Sequence, residues 1–321
     1  MGSLMSFAFI LAGLVLLVAG GDALVRGATG LAKALRVSPL LIGLVVVGFG
    51  TSMPEMTTSV TASLSGSPAV AVGNVIGSNI ANILLILAVT AVIAPMSVQA
   101  GAFRRDGAAL ILATLAAAAV TLFLPFSRVV GVILFVLLIV YVVASYLIDQ
   151  RTKDAVAALH AGEAETVKPA GGPLVSTLFL LAGLVGVVGG AALLVNGATV
   201  LAAAAGISEA VIGLTIVAVG TSLPELAASL SAARKGESDL AFGNIIGSNI
   251  FNALGILGAA ALARPFDLAP GAFGIDVLVM LASVGALIAF SVTGWRVDRR
   301  EGVLLLLAYA GYMSWLALTQ A

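Results

Sequence analysis

Between Arg128 and Asp149 the chain carries no charge, and Val132–Val143 is continuously apolar. An unbroken run of this kind lacks the alternation of a membrane β-barrel strand. It matches the roughly 20 apolar residues that a helix needs to cross a bilayer. Cutting the chain at charges, prolines and glycine clusters gives ten such runs, over 6–35, 39–64, 69–94, 103–124, 126–148, 174–205, 209–233, 238–263, 271–292 and 301–319. Only 9% of the 321 residues are charged and 61% are hydrophobic, whereas an ordinary soluble domain is about 25% charged. A soluble globular fold is excluded, and the sequence predicts an all-α polytopic membrane protein with ten transmembrane helices. The first and sixth runs exceed the bilayer thickness and are expected to tilt.

Composition removes several kinds of function. Basic and acidic residues balance at 15 each, which gives no support to a nucleic-acid partner. There is no Cys and one His, so disulfides, cysteine clusters and multi-histidine metal sites are out. Neither HExxH nor GxSxG occurs, and no His lies within a span, so the chain is not read as an enzyme. The first residues lack a basic n-region and are read as the first span rather than a cleaved leader. Met1–Ser6 fits the loose myristoylation pattern, which is read as chance.

Loop charges set the expected orientation. Counting loops from the N-terminus, the odd ones carry twelve basic residues: Lys33, Arg36, Arg104, Arg105, Arg151, Lys153, Lys168, Arg234, Lys235, Arg296, Arg299 and Arg300. The even loops carry Arg128 and Arg264, and Arg26 lies inside the first span. Both termini are therefore expected outside, with the polar 149–173 linker in the cytoplasm. His160, among the charges of that linker, is read as a solvated side chain. Asp22 and Arg26, four apart, are expected to pair, and Glu209 and Asp276 to sit near span ends.

The chain repeats at an offset of 170. GTSMPE at 50–55 recurs as GTSLPE at 220–225, and 73–87 matches 243–257 at 11 of 15 positions. Ser38–Leu64 and Ser208–Arg234 share 12 of 27. The expected units are residues 1–148 and 174–321, each of five spans, with motif regions 39–94 and 209–263. Because five is odd, the halves enter the membrane from opposite sides. Such inverted five-helix repeats are an architecture of secondary transporters, with the substrate site near mid-membrane.

Glu55 and Glu225 lie within these apolar segments, where a carboxylate is expensive and marks function by default. Pro54 and Pro224 follow Gly50 and Gly220 by four residues, so each helix is predicted to break and free carbonyl oxygens. Thr51, Glu55 and Ser59 share one helical face, as do Thr221, Glu225 and Ser229. On the third and eighth spans, Asn74, Ser78 and Asn82 form one stripe and Asn244, Ser248 and Asn252 another. Asn74, Asn79, Asn244 and Asn249 are read as interhelical hydrogen-bonders, while Gly73/Gly77 and Gly243/Gly247 are read as small pairs for close helix approach. Two ionised glutamates would neutralise one Ca²⁺. A flexible, dehydrated oxygen site leans toward Ca²⁺ and Na⁺ rather than Mg²⁺ or a soft metal.

GTS(M/L)PE followed by GN(V/I)IGSNI-x-N, present twice, resembles the α-repeats of the calcium/cation antiporter superfamily, in particular its prokaryotic sodium/calcium exchangers. The resemblance implies ten helices, an N-terminus outside, and alternating access by sliding of the first and sixth spans against a rigid bundle. It implies transported Ca²⁺ and Na⁺ and no other cofactor. Ca²⁺ would be held by Glu55 and Glu225 with Thr51 and Thr221. Flanking Na⁺ sites would use Ser52, Ser78 and the Gly48 carbonyl in one half, and Ser222, Ser248 and the Ala218 carbonyl in the other, with Asn82 and Asn252 completing the centre. Many such exchangers carry Asp where this chain has Asn252, which leaves stoichiometry and K⁺ or H⁺ coupling open. The GNxxE motif of the proton/calcium branch is absent. An H⁺/Ca²⁺ or other cation antiporter is the alternative within transport, and a cation channel the alternative outside it.

Overall fold

The structure, a computed structural model, describes residues 2–151, 171–205, 218–269 and 271–320. Most of the expected linker, with His160, lies outside the described residues, as do Glu209 and the start of the expected seventh span. The first helix, α1 (Gly2–Leu35), is followed by a helix in pieces: α2 (Pro39–Ile42), a π-helical turn (Gly43–Val47), α3 (Gly48–Thr51) and α4 (Met53–Leu64). Next come α5 (Pro68–Ala81), a second π turn (Asn82–Leu87) and α6 (Ala88–Ile93), then β1 (Met96–Ser97), α7 (Ala100–Phe123) and α8 (Arg128–Arg151). The remaining chain forms α9 (Pro173–Ala204), α10 (Ala218–Thr221), α11 (Leu223–Arg234), α12 (Ser238–Ile250), a third π turn (Phe251–Ile256) and α13 (Leu257–Ala263). It ends with α14 (Gly274–Val292), β2 (Arg296–Val297) and α15 (Arg299–Gln320). Among the described residues, eight helices are long and apolar enough to span a membrane, and the pair Pro39–Thr51 with Met53–Leu64, bent by 47°, makes a ninth.

Burial sorts these spans. The two carrying the GN motifs are the most enclosed: Ser238–Ala263 is 89% buried over its most apolar stretch and Pro68–Ile93 72%, against 11% for Arg299–Thr319. The motif helices therefore form the centre, packed through Ile76, Ile80, Ile83, Ile245, Ile250 and Ile256. The peripheral helices α1, α8 and α15 turn large apolar side chains outward, among them Leu11, Val129 and Leu307. Such an apolar outer surface suits lipid as solvent.

Helices α1 and α9 lie against each other with opposed chain directions. A Cβ at Gly13 would stand 2.6 Å from the Gly190 carbonyl oxygen, one at Gly20 2.8 Å from the Gly186 carbonyl carbon, and one at Gly197 2.6 Å from the Ser6 carbonyl oxygen. The seam is backbone against backbone, the use that membrane helices make of small residues.

Two short β elements were not expected of an all-α chain. β1 and β2 pair antiparallel, Met96 with Val297 and Ser97 with Arg296, and Phe126 and Phe266 form an isolated bridge with stacked rings 4.5 Å apart. Both tie turns between spans together, where exposed backbone would otherwise lack partners.

A candidate cation-binding site

Each GTS-x-PE motif sits where its helix breaks. Ser52 (φ −83°, ψ 9°) divides α3 from α4, and Ser222 (φ −92°, ψ 4°) divides α10 from α11. These angles lie near the sparsely allowed bridge region. Pro54 and Pro224 occupy the first turn after each break, where a missing N–H removes no helical bond. The break thus falls two residues before each proline. Glu55 and Glu225 are each 1% exposed and stand in the first turn of the following half-helix.

Behind each glutamate lies the same clasp. Asn74 Nδ2 donates to the Glu55 carbonyl oxygen (3.2 Å) and to Ser59 Oγ (2.9 Å). Asn244 Nδ2 donates to the Glu225 carbonyl oxygen (3.1 Å) and to Ser229 Oγ (2.8 Å). Every partner is displaced by 170 residues, so the sequence repeat is a repeat of hydrogen bonds. Asn74 and Asn244 are interhelical hydrogen-bonders as read from the sequence, and they also hold the backbone of each glutamate; Asn79 donates across to the Asn249 carbonyl oxygen at 3.3 Å, whereas Asn249, contrary to the reading, donates within its own helix to the Ile245 carbonyl oxygen at 2.7 Å. Two modest hydrogen bonds, each worth about 0.5–1.5 kcal/mol net, hold each half-helix in register. If the two glutamates hold Ca²⁺, Asn74→Ala or Asn244→Ala is expected to raise the Ca²⁺ concentration for half-maximal ⁴⁵Ca uptake about tenfold, as loss of roughly 1.4 kcal/mol would do.

Across the centre the first motif reaches the second. Ser52 Oγ donates to Glu225 Oε1 at 3.0 Å, and Ser248 Oγ donates to the Gly48 carbonyl oxygen at 3.1 Å. Thr51 Oγ1 lies 3.2 Å from Asn244 Oδ1, 3.1 Å from the Val47 carbonyl oxygen and 3.3 Å from that of Gly48. Its one proton serves one of these at a time. Close approach makes the bonds possible: a Cβ at Gly48 would stand 2.9 Å from Ser248 N, and one at Gly243 3.0 Å from Gly43 Cα. Gly73 and Gly77 differ. A Cβ at Gly73 first meets the Phe273 ring at 3.4 Å, and Gly77 has nothing within 4 Å; the counterparts of the α2 residues that pack on Gly243 fall outside the described residues.

Asn82 opens the second π turn, and Asn252 stands in the third. A π turn inside an α-helix is rare and recurs at functional sites. Glu55 Oε2, Glu225 Oε2 and both amide atoms of Asn252 are buried without a hydrogen-bond partner among the described residues. Buried polar atoms are ordinarily paired, and unpaired carboxyl and amide oxygens are ligands for a hard cation. Ser78 in α5, Asn82 at the π turn and Ser222 at the break are buried too, and among the described residues none of them makes a side-chain hydrogen bond to either glutamate. Thr221 and Ala218 bound α10. Among the described residues there is no cluster of three or more His, Cys, Asp or Glu.

Asp22 pairs with Arg26 at 2.8 Å as the spacing predicts. The sequence did not reveal its second partner, Lys235, whose ammonium also bonds Asp22 and so ties the end of α11 to α1. Asp276, in the first turn of α14, accepts from Tyr312 Oη at 2.6 Å.

Buried motif helices, each bearing a glutamate at a helix break, inside a bundle of membrane-length helices define the class as a multi-pass membrane transporter. The family described as "Sodium/calcium exchanger protein" matches residues 5–147 and 175–318. The chain belongs to that family of multi-pass membrane antiporters of the Na⁺/Ca²⁺ exchanger type. It is 38% identical to inner membrane protein YrbG of Escherichia coli (strain K12) over 320 residues, 98% of this chain and 97% of that protein. It is 34% identical to sodium/calcium exchanger MaX1 of Methanosarcina acetivorans over 350 residues, 96% of this chain and 97% of that protein. The solved structure of the sodium-calcium exchanger NCX_Mj, soaked with zero Na⁺ and Ca²⁺, superposes with a TM-score of 0.82 at 34% identity, covering 98% of this chain and 99% of that one.

Proposed function

We propose that the protein exchanges Na⁺ for Ca²⁺ across the membrane by alternating access, with Ca²⁺ bound between Glu55 and Glu225. The observation that carries this reading is that each carboxyl group offers a buried oxygen with no donor among the described residues, from equivalent motifs at an offset of 170. Two negative charges there balance one Ca²⁺, and Na⁺, close in size, competes for the same oxygens. Thr51 and Thr221 complete the central site. Ser52, Ser78 and the Gly48 carbonyl, with Ser222, Ser248 and the Ala218 carbonyl, supply flanking Na⁺ sites, and Asn82 and Asn252 close the centre. The reading includes ten spans in two inverted halves, 1–148 and 174–321, and both termini outside.

Paired carboxylates on two broken helices favour a carrier over a channel, which uses rings of filter groups. Proton coupling is the other reading to test, since Asn stands at both 82 and 252. Proteoliposomes loaded with Na⁺ and diluted into Na⁺-free ⁴⁵Ca medium should accumulate Ca²⁺, whereas a pH gradient alone should not drive uptake. Uptake driven equally by the pH gradient would replace Na⁺ with H⁺ as the coupling ion, and downhill Ca²⁺ flux needing neither would rule out exchange.

A further inference from the structure

A basic pocket stands apart from the ion site, where the turn before α7 meets the turn before α15. Pro95, Arg296, Asp298, Arg299 and Arg300 line a cavity of about 560 Å³. Three of its five lining residues are arginines against one carboxylate. Arg296 pairs with Asp298 at 2.8 Å, while Arg299 and Arg300 are exposed and have no side-chain hydrogen-bond or ion-pair partner among the described residues. Both turns join membrane-spanning helices, α6 to α7 and α14 to α15, which sets the pocket at headgroup level rather than in the hydrocarbon.

The pocket is built rather than loose. The β1–β2 ladder fixes its wall, and Val98 N–H donates to the Trp295 carbonyl oxygen at 2.8 Å. Gly294 and Trp295 are both in the left-handed region, at φ 88° and 54°. That conformation is strained for a bulky residue and persists only where the surroundings impose it. It seats the Trp295 ring beneath the Arg104 guanidinium, whose carbon lies 5.5 Å from the ring centroid. A fourth arginine is thus held beside the wall by a cation–π contact. Tryptophan is also the residue that membrane proteins place at the interface.

We propose that this pocket binds the phosphodiester headgroup of an anionic phospholipid. Guanidinium groups grip phosphate oxygens in pairs, and basic pockets between membrane helices at the interface take anionic headgroups. A volume of this size accommodates a headgroup. The competing account, that these arginines serve only to orient the loop during insertion, needs their charge but no ligand.

The experiment uses full-length protein purified in a neutral detergent, with thermal stability and co-purified phospholipid read together. Phosphatidylglycerol in excess is expected to raise the unfolding midpoint by ~5 °C or more, with phosphatidylcholine and inorganic phosphate giving no such shift. Arg299→Gln/Arg300→Gln should abolish the shift and the retained lipid, while keeping ⁴⁵Ca exchange in neutral liposomes as proof of folding. Arg299→Lys/Arg300→Lys, which keeps charge but loses the paired grip, should retain only part of the shift. Arg36→Gln/Arg234→Gln, which removes the same charge elsewhere, should retain all of it. A shift that survives Arg299→Gln/Arg300→Gln, is lost equally in Arg36→Gln/Arg234→Gln, or is matched by inorganic phosphate overturns the proposal.

Discussion

Glu55→Gln and Glu225→Gln are each expected to lower Na⁺-dependent ⁴⁵Ca uptake by ~100-fold or more, the result of losing about 3 kcal/mol from a buried charge interaction. Each carboxyl group is almost wholly enclosed. With both ionised, a bound Ca²⁺ leaves the site neutral. With one amide in place the occupied site carries a net positive charge in a medium of low dielectric, where unbalanced charge is costly. Gln matches Glu in shape and can keep the contact with Ser52 at 225, so the folded structure should survive. Unaltered melting in both variants, with uptake lost, isolates the electrostatic effect. Retained uptake in either variant would remove that residue from the site.

Gly247→Ala is expected to lower the unfolding midpoint by roughly 5 °C or more and to depress exchange with it. The added methyl group would meet Leu44 backbone atoms, its Cα at 2.6 Å and its carbonyl carbon at 2.7 Å. Backbone on both sides leaves no side chain to swing away, so the central helices must part. Overpacking of this kind costs about 1–3 kcal/mol, and a helical chain of this size loses about 2–4 °C per kcal/mol. Parting α12 from the π turn at Gly43–Val47 also draws Ser248 away from the Gly48 carbonyl oxygen. Gly285→Ala serves as the control: nothing lies within 4 Å of its Cβ direction, and a helical alanine there should leave the midpoint unchanged or raise it. Equal melting of the two variants would contradict the backbone contact.

The spans were legible because charge and proline bound them. Nine of the ten expected segments correspond to helices long enough to cross, with edges moved by a few residues, as at Arg128 and Gly274. The helix breaks were legible from Pro54 and Pro224, although their position at Ser52 and Ser222 was not, because a proline is tolerated in the first turn of the half-helix that follows. The glutamates announced themselves by cost alone. The clasps did not: Asn74 and Ser59 belong to different helices, and no spacing along one helix reports a bond between two. Lys235 shows the same limit. It looked like a loop charge, and its side chain folds back across 213 residues of sequence separation to Asp22. The β1–β2 ladder escaped because two residues per strand leave no alternation to read.

The glycine seam between α1 and α9 has a mechanical corollary. Surfaces that meet main chain to main chain offer no protruding groups to climb over, yet they are held by many close van der Waals contacts that separation would forfeit. The two helices come from opposite halves of the polypeptide, so a displacement imposed on one is handed to the other. In the exchange proposed above they would act as a single rocker rather than as a pair of independent doors. Uncovering one mouth would press on the other, and simultaneous opening, the condition for a leak, would require tearing the seam.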